Sequence, residues 1–145
     1  MAFLPAEIDK AQTIIMNGTK GSAISSLGDN AQITNDALLQ IVGGNATGIR
    51  SEGADAVIIN NQMINVDGFG SSGITSDGDT AQITNNALIE TEQAEATGIA
   101  SGGLGAVIIN NQRITINEDS GGAIVSSGDT AQITNNAVIE TNGRS

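Results

Sequence analysis

Apolar and polar positions recur along this chain every 25 residues without a slip of register. Ile24, Ile49, Ile74, Ile99 and Ile124 form one column, and Ser26, Ser51, Ser76, Ser101 and Ser126 a second. Gly28, Gly53, Gly78, Gly103 and Gly128 form a third, followed by Ala31, Ala56, Ala81, Ala106 and Ala131. Two further columns are Ile33, Ile58, Ile83, Ile108 and Ile133, then Asn35, Asn60, Asn85, Asn110 and Asn135. Within a period the alternation is by two, the rhythm of strands with one buried face. In the period beginning at Gly73 it turns Ile74, Ser76, Ala81, Ile83, Ile89 and Thr91 inward, and Gln82, Thr84, Leu88 and Glu90 outward. Three short strands are predicted there, over 73–76, 81–84 and 87–91, with turns between them. A fixed period of this length marks a solenoid, because one coil cannot bury its own apolar face and must stack on its neighbours. The predicted fold class is all-β, a parallel β-helix (β-solenoid) of about five and a half coils spaced about 4.8 Å apart.

The whole chain, 1–145, reads as one solenoid unit: 1–22 an N-terminal cap and partial first coil, 23–141 five coils, and 142–145 a turn. Aligning 5–18 with 130–143 puts Ala6 and Ile8 in the Ala and Ile columns, and Ile14 and Met16 where the last coil carries Ile139 and Thr141. Met1, Phe3 and Leu4 are then available to cover the open end, which otherwise presents apolar surface and unpaired strand edges. A short helix over 6–12 is the competing local reading. At the far end Ile124, Ile133 and Val138 fall in a last layer with no successor, and the closing Gly-Arg-Ser reads as a cloning junction. The expectation is therefore an N-terminal piece of a longer solenoid.

The Asn column is expected to pass side-chain amide hydrogen bonds from coil to coil and to take left-handed backbone at a bend. The Gly column is expected to mark a turn where a side chain would clash. A second periodicity overlies the first: coils beginning at 23, 73 and 123 carry AQITN(N/D)A, whereas those at 48 and 98 carry AVIINNQ. The repeating unit is thus a pair of coils, and Gln12 falls in the column of Gln62 and Gln112, which belong to the second kind. On the outer side of the middle strand Val57, Ile59, Val107 and Ile109 then alternate with Gln32/Thr34, Gln82/Thr84 and Gln132/Thr134. Those four apolar residues are a candidate docking face, covered either by neighbouring parts of this chain or by another chain.

The columns G-I-x-S-x-G, A-x-I-x-N-N and A/Q-x-I-x-T resemble the repeats of bacterial autotransporter passengers and related large surface adhesins, from Pro5 to Thr141. The resemblance implies a right-handed parallel β-helix with three sheets and an Asn ladder at one bend. It also implies a place outside the cell or on its surface. The chain departs from those families in having no signal peptide, no membrane barrel and no cell-binding tripeptide loop.

Composition narrows the core. There is no Trp, Tyr, Cys or His, and only Phe3, Phe69 and Pro5 of their kinds, so Ile, Val, Ala and Ser must fill each layer. Small branched residues suit a narrow stack of identical cross-section. A net charge of −11, with Lys10, Lys20, Arg50, Arg113 and Arg144 scattered, argues against nucleic acid or an anionic membrane as partner. The absence of Cys removes any disulfide framework, and no apolar segment is long enough to cross a bilayer. No membrane insertion is expected.

Catalysis is not expected. Glycoside cleavage needs two carboxylates at a defined separation, in a shaped cleft usually lined by aromatics. Glu90 and Glu140 are equivalent outward positions two coils apart, about 9.6 Å by strand spacing, but only Thr115 lies between them. Without His or Cys there is no zinc or thiol chemistry, and Arg113 is the only nearby base for lyase chemistry. Asp29, Asp79 and Asp129 follow the Gly column, two coils apart and too far to share a calcium ion; Asp55 could help bridge the first two, but the corresponding place between the next two is Leu104-Gly105. They read as solvated turn carboxylates. No cofactor or metal is expected, a regular ice-binding Thr lattice is interrupted by Ile59 and Ile109, and Asn17 and Asn45 stand in short glycosylation acceptor motifs. The expected role is a non-catalytic structural or adhesive segment of a larger bacterial surface or secreted protein, with a surface receptor or matrix as partner. The alternatives are a carbohydrate-active enzyme or carbohydrate-binding module on a pectate-lyase-like β-helix, and a filament-forming module that self-associates end to end or laterally.

Overall fold

The computed structural model describes residues 12–143. Sixteen strands follow in chain order: β1 (Thr13–Met16), β2 (Ser22–Ser26), β3 (Gln32–Asn35), β4 (Leu38–Ile41), β5 (Thr47–Ser51), β6 (Val57–Asn60), β7 (Ile64–Val66), β8 (Ser72–Ser76), β9 (Gln82–Asn85), β10 (Ile89–Thr91), β11 (Thr97–Ser101), β12 (Val107–Asn110), β13 (Ile114–Ile116), β14 (Gly122–Ser126), β15 (Gln132–Asn135) and β16 (Ile139–Thr141). They form three parallel sheets in which every neighbour is three strands away in sequence. The first sheet runs β1-β4-β7-β10-β13-β16, the second β2-β5-β8-β11-β14 and the third β3-β6-β9-β12-β15. Each step along a sheet advances the chain by 25 residues, so Ile58 lies over Ile33 and Ile83 over Ile58. This is the predicted β-solenoid, with six layers in one sheet and five in the other two.

The core is the set of predicted columns. Ile49, Ile58, Ile64, Ile74, Ile89, Ile99, Ile108 and Ile114 are completely buried, with Ala56, Ala81 and Ala106 beside them. β1 places Ile14 over Leu39 and Met16 over Ile41, so the chain enters the stack in the expected columns. Gly53, Gly78, Gly103 and Gly128 have the predicted steric reason, since a Cβ on each would overlap the carbonyl of the glycine one coil below, whereas a Cβ on Gly28 would meet open space. Ala6, Ile8, the covering residues Met1, Phe3 and Leu4, and all but Gln12 of the competing helix over 6–12 lie outside the described residues, as do the last two residues.

The left-handed backbone is not where the sequence reading put it. Positive φ falls at Lys20, Asn45, Gly70, Glu95 and Ser120, and at Asn30, Asp55, Thr80, Gly105 and Thr130. These are the last residues of the two wider turns in each coil. The Asn35 column instead ends a strand, where extended backbone points each side chain into the core. A short polar or glycine residue suits most of the left-handed positions, whereas Thr80 and Thr130 hold it with a β-branched side chain.

Candidate functional site

The most organised polar chemistry is the bend between the third and first sheets. Asn35, Asn60, Asn85 and Asn110 are fully buried there. Each donates from Nδ2 to the Oδ1 of the asparagine one coil higher, Asn35 to Asn60, Asn60 to Asn85, Asn85 to Asn110 and Asn110 to Asn135, all at 2.8 Å. Four of the five also donate to the carbonyl two residues on: Ala37 (2.9 Å), Ala87 (2.7 Å), Gln112 (2.6 Å) and Ala137 (2.6 Å). The interior amides are therefore nearly saturated, which a buried polar group requires.

A second ladder, which the sequence reading did not separate from the first, runs beside it on the outer side. Asn61 donates to Asp36 (3.1 Å), Asn86 to Asn61 (3.0 Å), Asn111 to Asn86 (2.9 Å) and Asn136 to Asn111 (2.8 Å). Its donors point down the stack, while those of the inner ladder point up. Asp36 fits the foot of the outer ladder, because an ionised carboxylate accepts the donor of Asn61 and has none of its own to pass on. The doubled Asn-Asn in four coils was the available signal.

The candidate docking residues Val57, Ile59, Val107 and Ile109 do share the outer side of the third sheet. Register sets Val57 between Gln32 and Gln82, and Ile59 between Thr34 and Thr84. All four are half-buried rather than exposed. They form two separate pairs rather than one apolar patch. A more continuous apolar row lies on the outer side of the first sheet, where Leu38, Met63 and Leu88 occupy successive coils, each half-buried. Thr13 below and Arg113 above interrupt that column, which hid it in the sequence. The second sheet carries Ser22, Thr47, Ser72 and Thr97 outward, with Arg50 paired to Glu52 and Asp77 at 3.1 Å each.

Most of the described carboxylates are engaged by neighbouring side chains or backbone. Glu140 pairs with Arg113 at 3.2 Å, and Glu90 accepts from Asn117 at 3.3 Å. Thr115 between them is only 7% exposed. Asp29 and Asp79, expected as purely solvated, are exposed but also accept the backbone N–H of the coil above: Ala54 N at 2.9 Å and Leu104 N at 2.8 Å. Each links a coil of the AQITN kind to the AVIIN coil stacked on it. Among the described residues no group of three or more acidic side chains is arranged to hold a metal ion. No helix there is long and apolar enough to cross a membrane.

The bend, the three outer sides and the two ends are thus the surfaces on which a function can be built. Comparison with protein-family models, with curated proteins and with solved structures returns no match to this chain.

Proposed function

We propose that this chain is a non-catalytic structural or adhesive segment of a larger bacterial surface or secreted protein, working outside the cell. The observation that carries this reading is where the polar side chains are directed. The Asn and Asp residues that a catalytic or binding cleft would use are bonded to the neighbouring coil, as in the two ladders and the Asp29 and Asp79 contacts. Such bonds stiffen a stack and set its register. The outer sides are broad sheets of Gln, Thr, Ser and half-buried aliphatics, which offer area to a receptor or matrix rather than a concave pocket. In this role the net negative charge keeps the stack of strands soluble.

Two measurements test it together. Beads coated with the folded chain should bind host cells or extracellular matrix above the level of uncoated beads. The same preparation should leave polyuronides intact. Depolymerisation that disappears in Glu140→Gln, or binding no greater than background on every cell and matrix tried, overturns the proposal.

A further inference from the structure

The outer side of the third sheet differs from the other two in charge and in pattern. β3, β9 and β15 each turn a Gln and a Thr outward, whereas β6 and β12 turn out Val57, Ile59, Val107 and Ile109. No outward position on that sheet is charged, in a chain whose net charge is −11. The first sheet carries Glu90 and Glu140 outward, and the second carries Arg50 bonded to Glu52 and Asp77. Both outward positions of the third sheet also switch together at every step, Gln and Thr giving way to Val and Ile and then returning. No such alternation runs along the first sheet, where Leu38, Met63 and Leu88 follow one another.

We infer that the outer side of the third sheet is an association surface for a second copy of this chain, packed face to face with aliphatic strand on aliphatic strand. Charge and spacing choose this occupant. Two acidic chains repel least where neither presents a charge, whereas a basic partner is drawn instead to the turns that carry Asp29, Glu52, Asp55, Asp77 and Asp79. The aliphatic stripes recur every second coil, about 9.6 Å, and the third sheet of another copy repeats that spacing. A uniformly apolar partner would leave the Gln and Thr of β9 buried without hydrogen bonds. Like on like lets those amides and hydroxyls pair across the contact, since each both donates and accepts. A slip of one coil sets Gln82 and Thr84 against Val and Ile, so register is kept in steps of two coils. About β9 the stripes follow the same order in both directions, so two copies related by a two-fold axis present the same face and the pair closes as a dimer. Five strands of four residues span roughly 24 by 13 Å, so two copies cover roughly 600 Å². That is below the about 1,200 Å² of a stable complex, which makes the contact weak for a single pair and stronger where many copies share a surface. It involves no receptor or matrix, and so holds or fails independently of the adhesive role.

Sedimentation equilibrium of the folded chain, taken to millimolar concentration in high salt to screen the net charge, should show reversible dimers. Val57→Gln, Ile59→Thr, Val107→Gln and Ile109→Thr combined give β6 and β12 the outward side chains that β9 already carries. This fourfold variant should keep its far-ultraviolet spectrum and dimerise roughly tenfold or more weakly. Leu38→Gln with Met63→Gln, on the first sheet, should dimerise as the unsubstituted chain does. A monomer at every concentration overturns the inference, as does a mass that grows past the dimer. Undiminished dimerisation of the fourfold variant, or its loss in the first-sheet variant, overturns the choice of face and with it the inference. The unsubstituted chain decides the first point whatever the variants do.

Discussion

Two polar columns run through the interior, one ending the strands of the third sheet and one those of the second, and they are treated in opposite ways. In the Asn column of the bend every buried amide meets its neighbour at 2.8 Å. In the Ser column of the second sheet, Ser51, Ser76 and Ser101 are equally buried, yet their hydroxyls have no hydrogen-bond partner. The difference is one of reach. Coils repeat at about 4.8 Å, which an amide spans because donor and acceptor sit on opposite sides of one flat group. A hydroxyl on a single carbon spans only about 2.8 Å and falls short of the next one. Stacking identical polar residues therefore gains a side-chain hydrogen bond at each step only when the side chain is long enough to span the repeat.

This contrast is broken most severely at the middle of the ladder. Asn85→Asp keeps the size of the side chain but removes the donor to Asn110 and to the Ala87 carbonyl, and it buries a charge. It is expected to cost roughly 3–5 kcal/mol at neutral pH, read as a fall in the denaturant midpoint. Because burial raises that carboxyl's folded-state pKa, the deficit shrinks as pH falls towards the ordinary aspartate value of about 4. A deficit independent of pH would mean that lost packing, not lost direction of bonding, is responsible. Asn85→Ala removes the same bonds without the charge and is expected to cost roughly 2–4 kcal/mol. Once it is made, adding Asn60→Ala should cost about half as much again, since its upward partner has already gone.

The outer ladder sharpens the comparison from the solvent side. Asn86 takes part in the same kind of bond, 3.0 Å to Asn61, but it is exposed, so water replaces whatever is removed. Asn86→Ala is expected to cost about 0.5 kcal/mol, several-fold less than Asn85→Ala one residue away. Equal losses at the two positions would mean that the ladders act through backbone bend geometry rather than through burial.

How much of this was legible in the sequence follows from the same logic of repetition. The columns of Ile, Ala, Gly and Asn recur without exception, and each is filled by a residue whose size or hydrogen bonding is needed in every layer. They gave the strand order, the core and the inner ladder. Positions that vary between coils carried no such signal. The left-handed turn ends are Lys, Asn, Gly, Glu and Ser in one column, because several residue types tolerate that backbone once the surrounding bonds fix it. The outward Leu38, Met63 and Leu88 were hidden by Thr13 and Arg113 in their column, and Asp29 and Asp79 by their absence from alternate coils. Their contacts depend on which kind of coil lies above, a property of the stack rather than of any one repeat.

The smallest expected effect is also the one that separates the two columns most cleanly. Ser76→Ala deletes a fully buried hydroxyl that has no partner, and leaves a methyl in a layer where Ile74 and Ile83 are already enclosed. Removing an unpaired polar group recovers its desolvation penalty and loses little packing, so stability should be unchanged or rise by about 1 kcal/mol. A drop of 1 kcal/mol or more would show that the hydroxyl has a partner in solution, such as an ordered water between Ser51 and Ser76. The reach argument would then have to include a bridge: about 4.8 Å is too long for two hydroxyls but suits two hydroxyls with one water between them. The sign of this single substitution thus decides whether the serine column is merely small or is a third, water-linked ladder.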